Sequence, residues 1–252
     1  MATAERVSPA ETSDNYVFQR NLFAYYEAAP LIHGYVLEIG TGTGYGVELI
    51  ARYASHLITV DKTEPPVDFG NYPNTEFRKL NAPDFSMFGD SLFDTIISFQ
   101  VIEHIENDVL FVKEIRRMLK PGGRFIVTTP NRRMSLTRNP WHVREYTCAG
   151  LRELLGVSFS EIRTQGVYGN VRAMRYYEEN KRRIAQWLKL DVLQAHRWMP
   201  RGLLCPVYNW LNRINRRQLL RANRRLTQNI KATDFSLKAA SDDCLDLFFI
   251  AA

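Results

Sequence analysis

Cysteine is scarce in this chain of 252 residues: Cys148, Cys205 and Cys244 are widely separated and form no CxxC pair. An odd, scattered set argues against a disulfide framework or a cysteine zinc site and favours a reducing compartment. Long hydrophobic runs are missing too. No window approaches the ~20 apolar residues of a membrane span, and the polar first fifteen residues hold no apolar core followed by a cleavage site. Cytoplasm is the expected location. The GxGxxG spacing of a dinucleotide loop is also absent, because the glycines of the richest stretch fall at 40, 42, 44 and 46. What remains, at 45% hydrophobic content, suffices for one large core and an elaboration of it.

The run Val36-Leu37-Glu38-Ile39-Gly40-Thr41-Gly42-Thr43-Gly44-Tyr45-Gly46 reads as a buried strand breaking into a glycine loop and then a helix, from about residue 44 to 53. Its glycines remove Cβ atoms where the backbone must turn tightly and approach a ligand, at which the helix directs its amide end. Leu57-Ile58-Thr59-Val60 is a second strand ending in Asp61, where a carboxylate can accept hydrogen bonds from both hydroxyls of a ribose.

The acidic-x-Gly-x-Gly-x-Gly pattern resembles the first motif of class I S-adenosylmethionine-dependent methyltransferases. The resemblance continues in order. A third strand over residues 76–80 is followed by Asn81-Ala82, where the family places Asp-Ala against the adenine; a fourth over 93–100 leads into the Glu-His segment Val101-Ile102-Glu103-His104-Ile105. Pro121-Gly122-Gly123 makes a turn before a fifth strand over 125–128. The match is strong over 31–131 and weaker through 139–147. It is similar to the type 11/type 23 methyltransferase-domain group, which includes quinone-pathway enzymes.

This resemblance implies S-adenosyl-L-methionine as cofactor, held by Glu38, Gly40, Thr41, Gly42, Gly44, Asp61, Lys62, Asn81, Ala82 and Gln100; Glu38 either organises the loop, reaches the methionine amino group through water, or only makes strand-end hydrogen bonds. Asn81 departs from the family's aspartate, yet its amide oxygen can still accept from an adenine amino group. The helical stretch 15–26 is expected to fold over the cofactor, with Tyr16 and Arg20 on one face. Arg20 either meets the methionine carboxylate or forms a surface ion pair. No metal site is expected.

A sulfonium methyl donor asks its enzyme mainly to hold a nucleophile in line and exclude water. If the acceptor is a hydroxyl, a histidine base helps. His104 follows the fourth strand and His142 lies in the loop after the fifth. Either is a candidate base; His104 could instead orient its helix, and His142 could close the site. Glu145 either orients His142 or pairs with Arg144.

The fold implied is α/β: a doubly wound, mostly parallel, seven-stranded Rossmann-like sheet with an antiparallel last strand. Strands six and seven are read at 157–164 and 244–250. The resulting organisation is a helical cap over 1–30, a core of 31–170 and 240–252, and a basic helical insertion over 171–239. Between Arg172 and Arg225 stand 14 Lys and Arg against three acids, a net +11 within a chain of +6. From Leu203, residues Leu204, Val207, Tyr208, Leu211 and Ile214 recur at helical spacing among arginines, with Pro206 near the first turn. Such a segment is a lid, an interfacial helix for anionic membranes, or, third, a nucleic-acid surface. The reading is methyl transfer by in-line displacement to oxygen of a small or lipid-like acceptor. The alternatives are a noncatalytic cofactor-binding protein and an RNA methyltransferase.

Overall fold

The computed structural model describes residues 6–190 and 199–252. Five parallel strands form one side of the sheet: β1 (Tyr35–Ile39), β2 (His56–Asp61), β3 (Thr75–Lys79), β4 (Phe93–Phe99) and β5 (Leu119–Pro130). β6 (Ile162–Gly169), β7 (Phe235–Ala239) and β8 (Asp246–Ala251) complete it in the order β3-β2-β1-β4-β5-β8-β6-β7. β8 runs antiparallel to both β5 and β6.

The inner strands read as nearly continuous apolar runs because helices cover both faces of the sheet. Alternation along β1 sends Leu37 and Ile39 to one face, where they meet Phe111, Val112 and Ile115 of α3 (Asp108–Met118) and Leu151 of α4 (Cys148–Leu155). Val36 goes to the other face, with Phe23 and Tyr25 of α1 (Asn15–Ala28), Ile50 of α2 (Val47–Ala51) and Tyr176 of α5 (Val171–Leu190). α6 (Arg201–Ala222) and α7 (Arg224–Asn229) lie on that second side, against α1 and α5. The start of α3 follows its local chemistry: the Asn107 side chain accepts from Leu110 N at 3.0 Å, and Asp108 stands in the first turn.

The seven-stranded reading gains an eighth strand. β7 pairs antiparallel with β6 and is built from residues assigned by sequence to the insertion; its short Phe235/Leu237 alternation is overshadowed by the basic residues before it. β6 begins five residues later than expected, because Val157 and Phe159 turn the chain after α4, with Phe159 N bonded to Leu155 O. Pro121-Gly122-Gly123 is a bulge inside β5, not a turn before it: Leu119 pairs with Phe93 and Arg124 with Thr95. α2 starts at Val47 because Gly44 sits at φ +82°, outside helical space. α6 starts at Arg201, so Pro206 lies inside it and deprives the Gly202 carbonyl of its helical donor. Trp198 and His196 lie outside the described residues. Among the described residues no helix is long and apolar enough to cross a membrane.

Candidate active site

The strand order reverses between β1 and β4, and ligands in open α/β sheets bind at the strands' carboxyl ends beside such a switch. A cavity of about 1100 Å³ opens there. Gly40 leaves β1 at φ +96°, where an added Cβ would fall 2.3 Å from Val101 Cγ2. Gly42, at φ +60°, would carry a Cβ that meets nothing within 4 Å, so bare backbone borders open cavity there. Gly42 N donates to Asp61 Oδ2 at 2.9 Å, and Asp61 Oδ1 accepts from Thr63 N at 2.9 Å and Arg6 Nη2 at 2.6 Å. The carboxylate at the end of β2 is thereby fixed toward the loop.

Twelve of the expected residues line this one cavity: Tyr16, Arg20, Gly40, Thr41, Gly42, Asp61, Lys62, Asn81, Ala82, Gln100, His104 and His142. Glu38 and Gly44 do not. Glu38 is 1% exposed and lies behind the loop, accepting from Tyr25 Oη at 2.8 Å and Thr59 Oγ1 at 2.5 Å. Burial pushes its carboxyl up to about 7, opposed by those two hydroxyl bonds. Its place is structural support of the loop. Gly44 instead packs under Val67, whose Cγ2 leaves no room for a Cβ.

Arg20 pairs neither with solvent nor at the surface. Its Nε lies 2.9 Å from Asp246 Oδ2 in β8, inside the molecule, and its guanidinium sits 5.6 Å from the Tyr16 ring. Tyr16 stacks on Tyr176 at 4.4 Å. Asn215 lines the cavity, and its Oδ1 is buried without a hydrogen-bond partner among the described residues. A glycine loop stripped of side chains, with the Asp61 carboxylate fixed beside it, fits a ligand that brings its own hydroxyl donors.

At the other end of the cavity, Gln100 leaves β4 at φ +57°, a strained conformation for a side-chain-bearing residue. A 3-10 turn over Ile102–His104 follows. His104 Nδ1 is 2.9 Å from Trp141 O; His142 Nδ1 is 2.8 Å from Glu145 Oε1, and its Nε2 is 2.8 Å from Asn139 Nδ2. The two rings meet edge to face at 5.0 Å. Glu103, 1% exposed, accepts from Thr129 Oγ1 at 2.9 Å. Burial raises its carboxyl, and the two neighbouring imidazoles oppose that rise.

Arg6, Glu103, Asn215 and Asp246 belong to this neighbourhood without having been singled out as site residues. For Asp246 a signal existed: it is the lone acid in the apolar run Leu245-Asp246-Leu247-Phe248-Phe249-Ile250. Arg6 and Asn215 carry no local mark.

Comparison with known proteins agrees with this geometry. The methyltransferase-domain family model matches residues 37–127. A probable S-adenosylmethionine-dependent methyltransferase of Mycolicibacterium smegmatis is 38% identical over 175 residues, covering 66% of this chain and 68% of that protein. A ubiquinone biosynthesis O-methyltransferase of Rhizobium etli is 29% identical over 113 residues, covering 42% of this chain and 45% of that one, so the chain spans under half the length of this relative. Among solved structures, a SAM-dependent methyltransferase from Thermotoga maritima shares the fold at a TM-score of 0.56 and 14% identity, covering 94% of this chain and 91% of that one. The chain belongs to the S-adenosylmethionine-dependent methyltransferases. It is an enzyme, and S-adenosylmethionine is its cofactor.

Asp61→Ala is accordingly expected to weaken S-adenosylmethionine binding by about 1–3 kcal/mol, the value of a charge-assisted hydrogen bond to a ribose hydroxyl. Calorimetry on both proteins measures it, with NAD as a ligand expected not to bind. Unchanged affinity would remove Asp61 from the ribose site.

Proposed function

We propose that this enzyme methylates an oxygen of a lipid-like acceptor that it meets at an anionic membrane surface. The carrying observation is the outer half of the cavity, walled by Tyr176, Ile184, Trp187, Leu204, Val207 and Leu211 from α5 and α6 and bordered by His104 and His142. About 1100 Å³ lies just above the roughly 300–1,000 Å³ of pockets for single ligands, room for an acceptor beside the cofactor. The apolar wall favours an acceptor with a large hydrocarbon or aromatic body. Oxygen as the acceptor atom is supported by the relatives named for ubiquinone biosynthesis O-methylation.

When bound, the cofactor supplies a methyl group on a positively charged sulfur. The protein's share is to place the acceptor and keep water out. The Glu145 carboxylate accepts from His142 Nδ1–H, which leaves Nε2 as the basic nitrogen; Asn139 holds that nitrogen until an acceptor hydroxyl takes its place.

α6 supports the membrane half of the reading because it is apolar on two sides. Leu204 is buried against the cavity, whereas Leu203 and Trp210, at i and i+7, are 66% and 64% exposed and lie outside its lining. The outward apolar residues are thus Leu203 and Trp210, and those lining the cavity are Leu204, Val207 and Leu211. Arg216 is committed inward to Asp14 at 2.7 Å and Arg172 to Asp234 at 3.2 Å. Arg217, Arg221, Arg224 and Arg225 are exposed, and exposed cations beside an apolar helix face favour anionic headgroups.

The test incubates the enzyme and labelled cofactor with a lipid extract, a water-soluble metabolite fraction and total RNA, beside sedimentation with anionic vesicles. Label is expected in lipid, and the protein is expected to sediment. Sedimentation should weaken with salt and fall further in Leu203→Ser/Trp210→Ser, whose apolar anchor is gone. Label in the soluble fraction or in RNA, without vesicle binding, would overturn the lipid reading. His142→Ala should lower transfer by about 10²–10⁴-fold with cofactor affinity intact; full activity would eliminate it as the base.

A further inference from the structure

We propose that Glu103, His104 and His142 form a site for a divalent transition-metal ion of zinc-like ligand preference on the cavity wall. Each of the three offers one ligand atom, and these atoms lie within 4.8 Å of one another. Metal–ligand bonds of about 2.1 Å allow at most about 4.2 Å between two ligand atoms. Rotamer adjustments of less than about an ångström would close the set.

The histidines are prepared from behind. Trp141 O can only accept, so the proton of His104 sits on Nδ1 and the lone pair on Nε2. Glu145 Oε1 imposes the same tautomer on His142. A carbonyl or carboxylate on the far nitrogen is the partner that metal-ligating histidines have, because it fixes the ring and raises its basicity. Val143 N donates to the backbone oxygen of Glu103 at 2.7 Å, which ties the loop carrying His142 to the turn carrying the other two ligands.

Glu103 supplies the charge. Its carboxylate is 1% exposed and accepts from Thr129 Oγ1, a neutral donor. A divalent ion would neutralise this buried carboxylate and take a lone pair from each imidazole, displacing Asn139 Nδ2, which donates to His142 Nε2 at 2.8 Å. Two neutral nitrogens and one carboxylate match the three-ligand sets that leave a metal with open positions. His104 and His142 line the cavity, so those positions would face the acceptor space. Sequence spacing concealed the set, since Glu103 and His104 are adjacent and His142 stands far along the chain.

The chemical role, though not the site itself, rests on the reading of oxygen as the acceptor atom. A bound cation lowers the pKa of a coordinated hydroxyl. The acceptor's O–H proton would then pass to solvent, and His142 would serve as ligand in place of base. Methyl transfer to that oxygen forms the O–C bond as the C–S bond breaks and its electron pair stays on sulfur.

The test strips the full-length protein with a chelator, then titrates it with Zn²⁺ by calorimetry and with Co²⁺ by visible spectroscopy. One equivalent of Zn²⁺ is expected, with Co²⁺ d–d bands and no thiolate charge-transfer band. His104→Ala and His142→Ala should each weaken Zn²⁺ binding by more than about 100-fold, and Glu145→Gln by about 10–100-fold. S-adenosylhomocysteine binding and thermal unfolding of each variant report its fold. Absence of stoichiometric binding, a thiolate band assigning the metal to the cysteines, or unchanged affinity in folded histidine variants would overturn the proposal. Should the histidine variants fail to fold, the wild-type stoichiometry, the Co²⁺ spectrum and Glu145→Gln decide it. Zn²⁺ binding together with methylation of nitrogen or carbon would uphold the site and reject the oxygen acceptor.

Discussion

Arg20→Met is expected to cost the fold about 3–5 kcal/mol, the penalty of removing one partner from a buried ion pair. The pair joins α1 to β8 at 2.9 Å, with side chains 17% and 3% exposed. Burial alone raises the Asp246 carboxyl, and the Arg20 guanidinium opposes that rise. Without arginine the carboxylate has no cation and must take up a proton or draw in water. Chemical denaturation measures the loss, and the melting temperature should fall on the order of 10 °C. Arg20→Met/Asp246→Leu is expected to recover most of the stability, because an apolar pair of similar volume removes the stranded charge. A single variant costing less than about 1 kcal/mol, as exposed pairs do, would show that the contact carries little.

Stability should also depend on pH through Glu38. Its carboxyl is raised from 4.5 to about 7, so between those values the unfolded chain has lost a proton that the native state retains. The contribution of protonated Glu38 is therefore complete below about pH 4.5 and lost as pH rises through about 7. Its size is roughly 3 kcal/mol, from the interval between the two values. Asp94, Asp108 and Asp234 are shifted downward, so their contributions disappear only in more acidic solution. Glu103 and Asp246 are raised as Glu38 is, and the comparison must therefore isolate one group. Urea unfolding of wild type and Glu38→Gln across pH 5–8 does so. The difference between the two curves should slope in this window, and parallel curves would reject the assignment.

Local order made the cofactor half of the site legible in sequence. A glycine loop after a strand and an acid at the end of the next strand are contiguous signals, and the sheet topology carries Gly42 and Asp61 together at 2.9 Å. Contacts made only by closure of the fold were not legible. Arg20 and Asp246 stand at opposite ends of the chain. Arg20 is as compatible by sequence with a surface pair as with a buried one. By sequence Glu38 suits either loop support or a water-mediated contact to the ligand; strand alternation turns it beneath the glycines, against Tyr25 and Thr59. The apolar period of α6 was visible but not its division: Leu203 and Leu204 are adjacent, one facing outward and the other the cavity.

The central position of β8 constrains how this molecule can reach its native state. β5 and β6 both precede β8 in the chain, yet each uses it as a hydrogen-bonding neighbour. Until β8 slots between them the sheet exists as two pieces, whose open edges carry apolar residues such as Ile126, Val127 and Val167. Pairings this distant in sequence form late and leave such edges exposed to other chains. Refolding should therefore pass through a slow, concentration-sensitive phase that ends with β8 insertion. Substitutions at Phe248 or Phe249, both fully buried in β8, should raise the yield of aggregate more than equally buried changes in β2.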